Sequence, residues 1–232
     1  MKPIIGIVAK HCLCDACAPM GQTTFSRDEI KDAVIDNGGI PIALLPSDKG
    51  VHNWKIEKDY KLSDANKEVM IAQIKLCDGI IIQGYKTGFW YEVFVAKYCF
   101  ENDIPFLGIC NGQSCVGVAF GSGFKKAEGH NKIHYSKHAH KAFIKPTTKL
   151  FEIIGKAEML VNSLHENELD RVPDGYICSA TNEQGGIEVI EAPTKRFNIA
   201  VKYHPECLYT FDENQNKIFK VFIVASRKPK RS

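Results

Sequence analysis

The first half of the chain alternates short, wholly apolar runs with segments of helical pattern, and this alternation constrains the fold more than any other feature. We interpret the apolar runs as strands at residues 4–9, 40–45, 78–84 and 104–109. The segments between them are predicted helices at residues 26–39, 64–77 and 89–102. Apolar, β-branched strands are typical of sheets that are covered on both faces. The pattern therefore predicts an α/β fold with a parallel sheet, whose ligands bind at the carboxyl ends of the strands.

The second half of the chain is rich in short strands. The predicted strands lie at residues 142–146, 159–164, 175–181, 185–192 and 197–204, and a closing helix follows at 213–226. Because no repeat, low-complexity segment or linker separates the halves, we expect one domain over residues 1–226. The basic residues at 227–232 are expected to form a disordered, solvated terminus.

Composition narrows the class of protein. The 232 residues are 44% hydrophobic, which is enough for a sizeable core, and the formal net charge is only +3. Nucleic acid is therefore not the expected ligand. No apolar run approaches the roughly 18 residues of a membrane span, and the opening segment lacks the features of a secretory leader. We expect a cytoplasmic protein with no membrane partner, whose nine cysteines are mostly free thiols.

Cys110 lies between two glycines at the end of the fourth predicted strand. Gly108, Cys110 and Gly112 form a G-x-C-x-G pattern, the thiol counterpart of the turn that carries the nucleophile in serine hydrolases. A following helix would direct free N–H groups and its positive dipole end at the sulfur, which favours a thiolate. The pattern alone is also compatible with a buried core thiol.

His204 and Glu206 strengthen the catalytic interpretation of this cysteine. His204 ends an apolar strand, Pro205 stiffens the backbone, and Glu206 follows where its carboxylate can accept from the imidazole and fix the tautomer. Because Cys110 also ends a strand, the three side chains can converge at one edge of the sheet. They would act there as nucleophile, base and orienting group.

Together these segments resemble the class I glutamine amidotransferase-like superfamily, and within it the branch of γ-glutamyl hydrolases. The resemblance runs from Lys2 to Glu206 through "KPIIGI", "DNGGIPIALLP", "DGIIIQG", "PFLGICNG", "LVNSLHEN", "GGIEVIEA" and "AVKYHPE". It implies a flavodoxin-like three-layer sandwich with a mostly parallel central sheet and a strand-rich second half. It also implies a triad of Cys110, His204 and Glu206.

The resemblance further implies an oxyanion hole and no cofactor. One donor would be the backbone N–H of Asn111, and the other that of Gly84 or Tyr85. The thiolate would attack the δ-carbonyl of a γ-glutamyl amide, and water would then release glutamate from the thioester.

Four residues are candidates for the glutamyl pocket. Many relatives carry Gln four residues after the nucleophile, whereas this chain has Ser114 there and Gln113 beside it. The resemblance also places Ser163 and His165 near the glutamyl moiety, although a packed structural role for His165 is a standing alternative.

The turn after the third strand departs from the family pattern. Where relatives often have a second glycine and an acidic residue, this chain has "GYKTGFWYE". Lys86 and Trp90 are therefore candidate substrate-binding residues at the pocket mouth. The alternatives are that Lys86 is a solvated surface charge and that Trp90 belongs to the core face of a helix.

Neither of two clusters of metal-ligating residue types has the spacing of a zinc site, so no metal is expected. They are Cys12, Cys14 and Cys17, and His130, His134, His138 and His140. A substrate-contacting loop is the preferred functional interpretation of the cysteine segment.

Three functions compete at this stage. The leading hypothesis is a free-standing hydrolase that takes a small-molecule γ-glutamyl amide, acting as a monomer or a homodimer. The second is a glutaminase subunit that delivers ammonia to a separate synthetase partner. The third is a catalytically silent binding module, which the intact triad disfavours.

Overall fold

Thirteen strands and six helices make up the described part of the chain, which in this computed structural model comprises residues 1–13, 22–127 and 136–227. The strands are β1 (Ile4–Val8), β2 (Lys10–His11), β3 (Thr24–Phe25), β4 (Ile40–Leu44), β5 (Gly79–Ile82), β6 (Phe106–Ile109), β7 (Phe124–Lys126), β8 (His140–Ile144), β9 (Glu158–Val161), β10 (Asn167–Leu169), β11 (Ile177–Thr181), β12 (Ile187–Glu191) and β13 (Asn198–Val201). The helices are α1 (Asp28–Asp36), α2 (Asp64–Ile74), α3 (Trp90–Glu101), α4 (Asn111–Ala119), α5 (Lys149–Ile154) and α6 (Glu213–Ala225).

A nine-stranded sheet with the order β4-β1-β5-β6-β13-β12-β11-β8-β9 lies at the centre of the protein. Its first five strands are mutually parallel, and the remaining pairings are antiparallel. The predicted α/β fold is thus confirmed, and the strand-rich second half extends the same sheet. The parallel part brings the carboxyl ends of β5, β6 and β13 side by side.

Helices cover the sheet on both faces. One buried cluster joins the sheet to α1, α5 and α6, with Phe219 and Phe222 fully buried. The other joins it to α2, α3 and α4, with Met70 and Phe106 fully buried. Successive strand residues alternate between the clusters, since Ile81 faces the first and Ile82 the second. This is the expected three-layer sandwich.

Some elements were not expected from the sequence. They are helix α5 and two small antiparallel sheets, β2 with β3 and β7 with β10. The Thr148 side chain caps α5, and Gly155 ends it in the left-handed region at φ 73°.

No helix in the described part of the chain has the length and apolar character needed to cross a membrane. The predicted disordered terminus, residues 227–232, lies almost entirely outside the described ranges, which end at Arg227. Cys14, Cys17, His130 and His134 also lie outside those ranges.

Candidate active site

Cys110 occupies a strained turn between β6 and α4. Its backbone has φ 51° and ψ −98°, a conformation that costs a non-glycine residue about 1–3 kcal/mol. The Cys110 N–H donates to the Val201 carbonyl at 2.8 Å, which fixes the turn against β13. A Cβ atom at Gly112 would lie 2.5 Å from the Ile82 carbonyl oxygen, so the turn requires glycine there.

His204 follows β13 and is held on two sides. Its N–H donates to Asn162 Oδ1 at 2.7 Å, and Asn162 Nδ2 donates to the His204 carbonyl at 2.9 Å. The imidazole Nδ1 lies 2.8 Å from Glu206 Oε1, and both side chains are buried. Because Nδ1 faces Glu206, Nε2 is left for Cys110, and both the His204 ring and Cys110 Cβ lie against Gly84.

The electrostatics of Cys110 and His204 are coupled. Burial alone raises the pKa of the Cys110 thiol, but the charges of His204 and Lys202 lower that pKa to about 7. Burial lowers the pKa of His204, and the charges of Glu206 and Cys110 outweigh it and raise that pKa to about 10. Between these values the site can hold a thiolate beside an imidazolium.

Backbone donors lie close to the thiol. Asn111 is the first residue of α4, and the first N–H groups of a helix have no acceptor within it. The turn after β5 approaches from the other side, where a Cβ atom at Gly84 would lie 2.5 Å from His204 Cε1 and 3.1 Å from Cys110 Cβ. Gly84 therefore lies beside the thiol, and the second donor, the N–H of Gly84 or of its neighbour Tyr85, stays a prediction.

Two cavities of about 530 Å³ meet at Cys110. The first is lined by Trp54, Lys86, Ser114, His165, Glu166 and Lys202, among others. The second is lined by Phe25, Arg27, Glu29, Gly84, Lys86 and His204, among others. The thiol can therefore contact a molecule that extends into both, with the imidazole on the side of the second cavity.

Three of the predicted substrate residues line the first cavity, namely Lys86, Ser114 and His165. The side chains of the other three, Gln113, Ser163 and Trp90, line neither of these two cavities, and their substrate-binding roles stay predictions. Gln113 is fully buried and its Nε2 donates to the carbonyls of Glu188 and Ala200 at 3.1 and 3.3 Å. Ser163 is fully buried as well. Trp90 Nε1 donates to the Glu57 carbonyl at 2.7 Å.

Sequence reasoning missed several residues of the site. Trp54 comes from a segment without a periodic pattern and stacks on Phe124 at 5.3 Å between ring centroids. Asn162 and Lys202 both lie within segments that carried the family resemblance. A lysine at the end of an apolar strand, two residues before the histidine, was the available signal for Lys202.

His204, Glu206 and Cys207 form a group of three metal-ligating residue types in the described part of the chain, with ligand atoms within 4.8 Å of one another. Burial and the charge of Glu206 raise the pKa of the Cys207 thiol to about 12, which disfavours the thiolate that a metal would need. His138 and His140 instead contact the carboxylates of Asp212 and Glu188, each at 2.9 Å.

Comparisons with known proteins agree with this geometry. The family model described as Peptidase C26 matches residues 89–206, which include Cys110, His204 and Glu206. A protein of Rickettsia prowazekii described as glutamine amidotransferase-like is 27% identical over 97% of this chain and 98% of its own length. A CTP synthase of Lactobacillus helveticus is 28% identical over 76% of this chain, but the alignment covers only 39% of the synthase.

Solved structures share the fold at low identity. The CTPS glutaminase domain of Trypanosoma brucei has a TM-score of 0.65 and 17% identity, over 97% of this chain and 93% of that domain. A glutamine amido transferase of Methylobacillus flagellatus has a TM-score of 0.66 and 12% identity, over 100% and 98% of the two chains.

Proposed function

The chain belongs to the Peptidase C26 family, and on that premise we propose that it cleaves the γ-glutamyl amide bond of a small-molecule metabolite and releases glutamate. Family membership and the amidotransferase-like relatives make it a cysteine-type hydrolase of the class I amidotransferase kind. The single observation that carries the finer proposal is the buried pair of Cys110 and His204, which lie side by side against Gly84 and are electrostatically coupled. The His204 Nδ1 lies 2.8 Å from Glu206 Oε1.

The first half of the reaction forms a thioester. The Cys110 thiolate attacks the δ-carbonyl carbon, and the carbonyl oxygen becomes an oxyanion facing the N–H groups of Asn111 and of Gly84 or Tyr85. When the tetrahedral intermediate collapses, the C–N bond breaks and the imidazolium of His204 gives its proton to the leaving nitrogen. The products are a free amine and a γ-glutamyl thioester.

The second half hydrolyses that thioester. Neutral His204 takes a proton from water while the water oxygen attacks the carbonyl carbon. Collapse of the second intermediate breaks the C–S bond, releases glutamate and restores the thiolate beside the imidazolium. Glu206 holds the imidazole in one orientation through both halves.

The two cavities give the substrate a direction. His204 lines the second cavity, and it must reach the leaving nitrogen to protonate it. We therefore place the leaving amine in the second cavity and the glutamyl group in the first, with Cys110 at their junction.

One alternative has support of its own. The CTP synthase relatives favour a glutaminase subunit that passes ammonia to a separate synthetase. In that case the isolated chain would act on glutamine itself, and added partner would raise the rate. A catalytically silent module is the remaining alternative, and the assembled triad counts against it.

The test is a screen of γ-glutamyl amides against the purified chain, with glutamate release as the readout and Cys110→Ala as the control. We expect glutamate from at least one amide with the wild-type chain and none with the variant. Release from glutamine alone would support the glutaminase alternative. No release from any amide, with no thioester trapped on Cys110, would contradict the proposal.

A further inference from the structure

Lys202 is a buried ammonium group on the wall of the first cavity. Only 4% of the residue is exposed, and its Nζ donates to Ser114 Oγ at 3.3 Å. The other buried lysine of the described residues, Lys10, lies 2.5 Å from the buried carboxylate of Glu92. Within residues 1–13, 22–127 and 136–227, by contrast, no carboxylate oxygen lies within 4 Å of Lys202 Nζ.

The buried ammonium of Lys202 contacts a hydroxyl group but, among the described residues, no anion. Removing an ammonium group from water is costly unless a counter-charge and hydrogen bonds replace the water. Burial accordingly lowers the pKa of Lys202, while the charges of Cys110, Glu188 and Glu168 oppose that shift without contacting the ammonium. The Nζ has three donors, and Ser114 accepts one of them. An anionic group entering the cavity would supply a counter-charge in direct contact with the ammonium.

The position of Lys202 identifies which part of the substrate that anion belongs to. Lys202 lines the first cavity, whereas His204, which must reach the leaving amine, lines the second. The group facing Lys202 therefore belongs to the acyl half. A γ-glutamyl acyl group carries a carboxylate and an ammonium on its α-carbon. Glu166, which also lines the first cavity, has the charge that such an ammonium requires.

We infer that Lys202 binds the α-carboxylate of the glutamyl group and so selects acyl groups that carry this carboxylate. The inference rests on the proposed function and deepens it by assigning the acyl specificity to one residue. The small side chain at Ser114 is part of the same arrangement, because its hydroxyl holds the ammonium beside the thiol-bearing helix. Lys202 is thus a specificity-determining residue of the acyl pocket.

A different role for Lys202 would be to stabilise the thiolate alone. Its charge lowers the pKa of Cys110, although His204 contributes more. That role predicts an equal loss for every substrate, because the thiolate is common to all of them. Carboxylate binding predicts an additional loss for the substrate that has the carboxylate.

The experiment pairs one substitution with one deleted substrate group. Wild type and Lys202→Met are compared on γ-glutamyl-p-nitroanilide and on γ-aminobutyryl-p-nitroanilide, which lacks only the α-carboxylate. We expect Lys202→Met to raise KM for the glutamyl substrate by about 10- to 100-fold, the range for a hydrogen bond to a charged group. The loss of the charge that lowers the pKa of Cys110 should reduce kcat/KM for both substrates by the same factor. The fall for the glutamyl substrate should therefore exceed the fall for the γ-aminobutyryl substrate by about 10- to 100-fold, and Lys202→Arg should restore part of this difference.

Lys55→Met is the matched control, because Lys55 is an exposed lysine on the same cavity. It should affect both substrates by the same factor. A second measurement needs no variant: glutamate should inhibit the wild-type enzyme competitively at concentrations at which γ-aminobutyrate does not.

The outcomes distinguish failure of the role assigned to Lys202 from failure of the proposed hydrolase function. Equal losses on both substrates in Lys202→Met, or equal inhibition by glutamate and γ-aminobutyrate, would overturn the inference and leave the proposed function standing. If wild type released p-nitroaniline from neither substrate and glutamate from no γ-glutamyl amide, the proposed function itself would fail, and the inference with it.

Discussion

Cys110 and Cys115 lie five residues apart on one strand-to-helix segment, and both thiols are buried. Burial raises the pKa of each, but the neighbouring charges differ. At Cys110 the charges of His204 and Lys202 reverse the effect and bring the pKa to about 7. At Cys115 the carboxylate of Glu92 adds to it, so that the pKa of this thiol is raised far above its ordinary value.

The backbone differs between the two thiols as well. Cys110 precedes α4 at positive φ and lines both cavities, whereas Cys115 lies within α4, in the core cluster shared with α3. A cysteine in an apolar segment thus becomes a candidate nucleophile only when a turn directs its thiol to a cavity and cations face it.

The largest expected effect is the direct test of this comparison. Cys110→Ala should lower glutamate release by about 10⁴-fold or more, because no neighbouring group can replace the thiolate. Cys115→Ala should keep near wild-type turnover and lose about 1 kcal/mol in the free energy of unfolding through the small core cavity. Turnover and urea unfolding measured on both variants would check this. An inactive Cys115→Ala with an active Cys110→Ala would reverse the assignment.

The next largest effect concerns His204, whose charge makes the pKa of Cys110 differ from that of Cys115. His204→Asn should lower turnover by about 10³-fold, since it removes both proton transfers. Because the imidazolium favours the thiolate, its loss should also raise the pKa of Cys110 above the value of about 7 found with His204 present. The pH dependence of iodoacetamide alkylation measures this directly. Its midpoint should move to higher pH in the variant, while Cys115 stays unmodified throughout.

Glu206→Gln supplies the matched control for that experiment. Glu206 acts through His204, so turnover should fall by only about 10- to 100-fold. The carboxylate raises the pKa of His204. Its removal should therefore shift the alkaline limb of kcat/KM from near 10 to lower pH. Complete loss of turnover in Glu206→Gln would mean that this carboxylate does more than orient the imidazole. Unchanged turnover in both Glu206→Gln and His204→Asn would contradict the assignment of the triad.

The sequence predicted the positions of strand ends, but not the directions of individual side chains or the contacts between distant segments. The parallel strands and the positions of Cys110 and His204 were predictable, because strand ends of one sheet meet at one edge. The direction of Gln113 was not, since neighbouring helix residues differ by about 100° in orientation and the turn at Cys110 sets the phase. Trp54 depends on a contact with Phe124, distant in sequence, and no local pattern encodes such a contact.

The smallest expected effect concerns the mouth of the two cavities. Cys110 lines these cavities, whereas Cys115 does not. Lys86 lines both cavities, but it is exposed and its Nζ already donates to the Leu13 carbonyl at 3.1 Å. An exposed charge of this kind contributes little. We expect a γ-glutamyl amide with an anionic leaving group to be preferred over glutamine, and Lys86→Ala to reduce that preference by about two- to fivefold in kcat/KM.

Trp90→Ala is the control for this last prediction, because the structure directs the indole of Trp90 to the Glu57 carbonyl and not to the cavities. The substitution should change kcat/KM for glutamine and for the larger amide by the same factor. A selective loss with Trp90→Ala would mean that the ring reaches the substrate during turnover. Comparable kcat/KM for glutamine and every larger amide in the wild-type enzyme would remove any role for the leaving group. Only the contacts of the glutamyl half would then discriminate between substrates, and the glutaminase alternative would become the better account of the site.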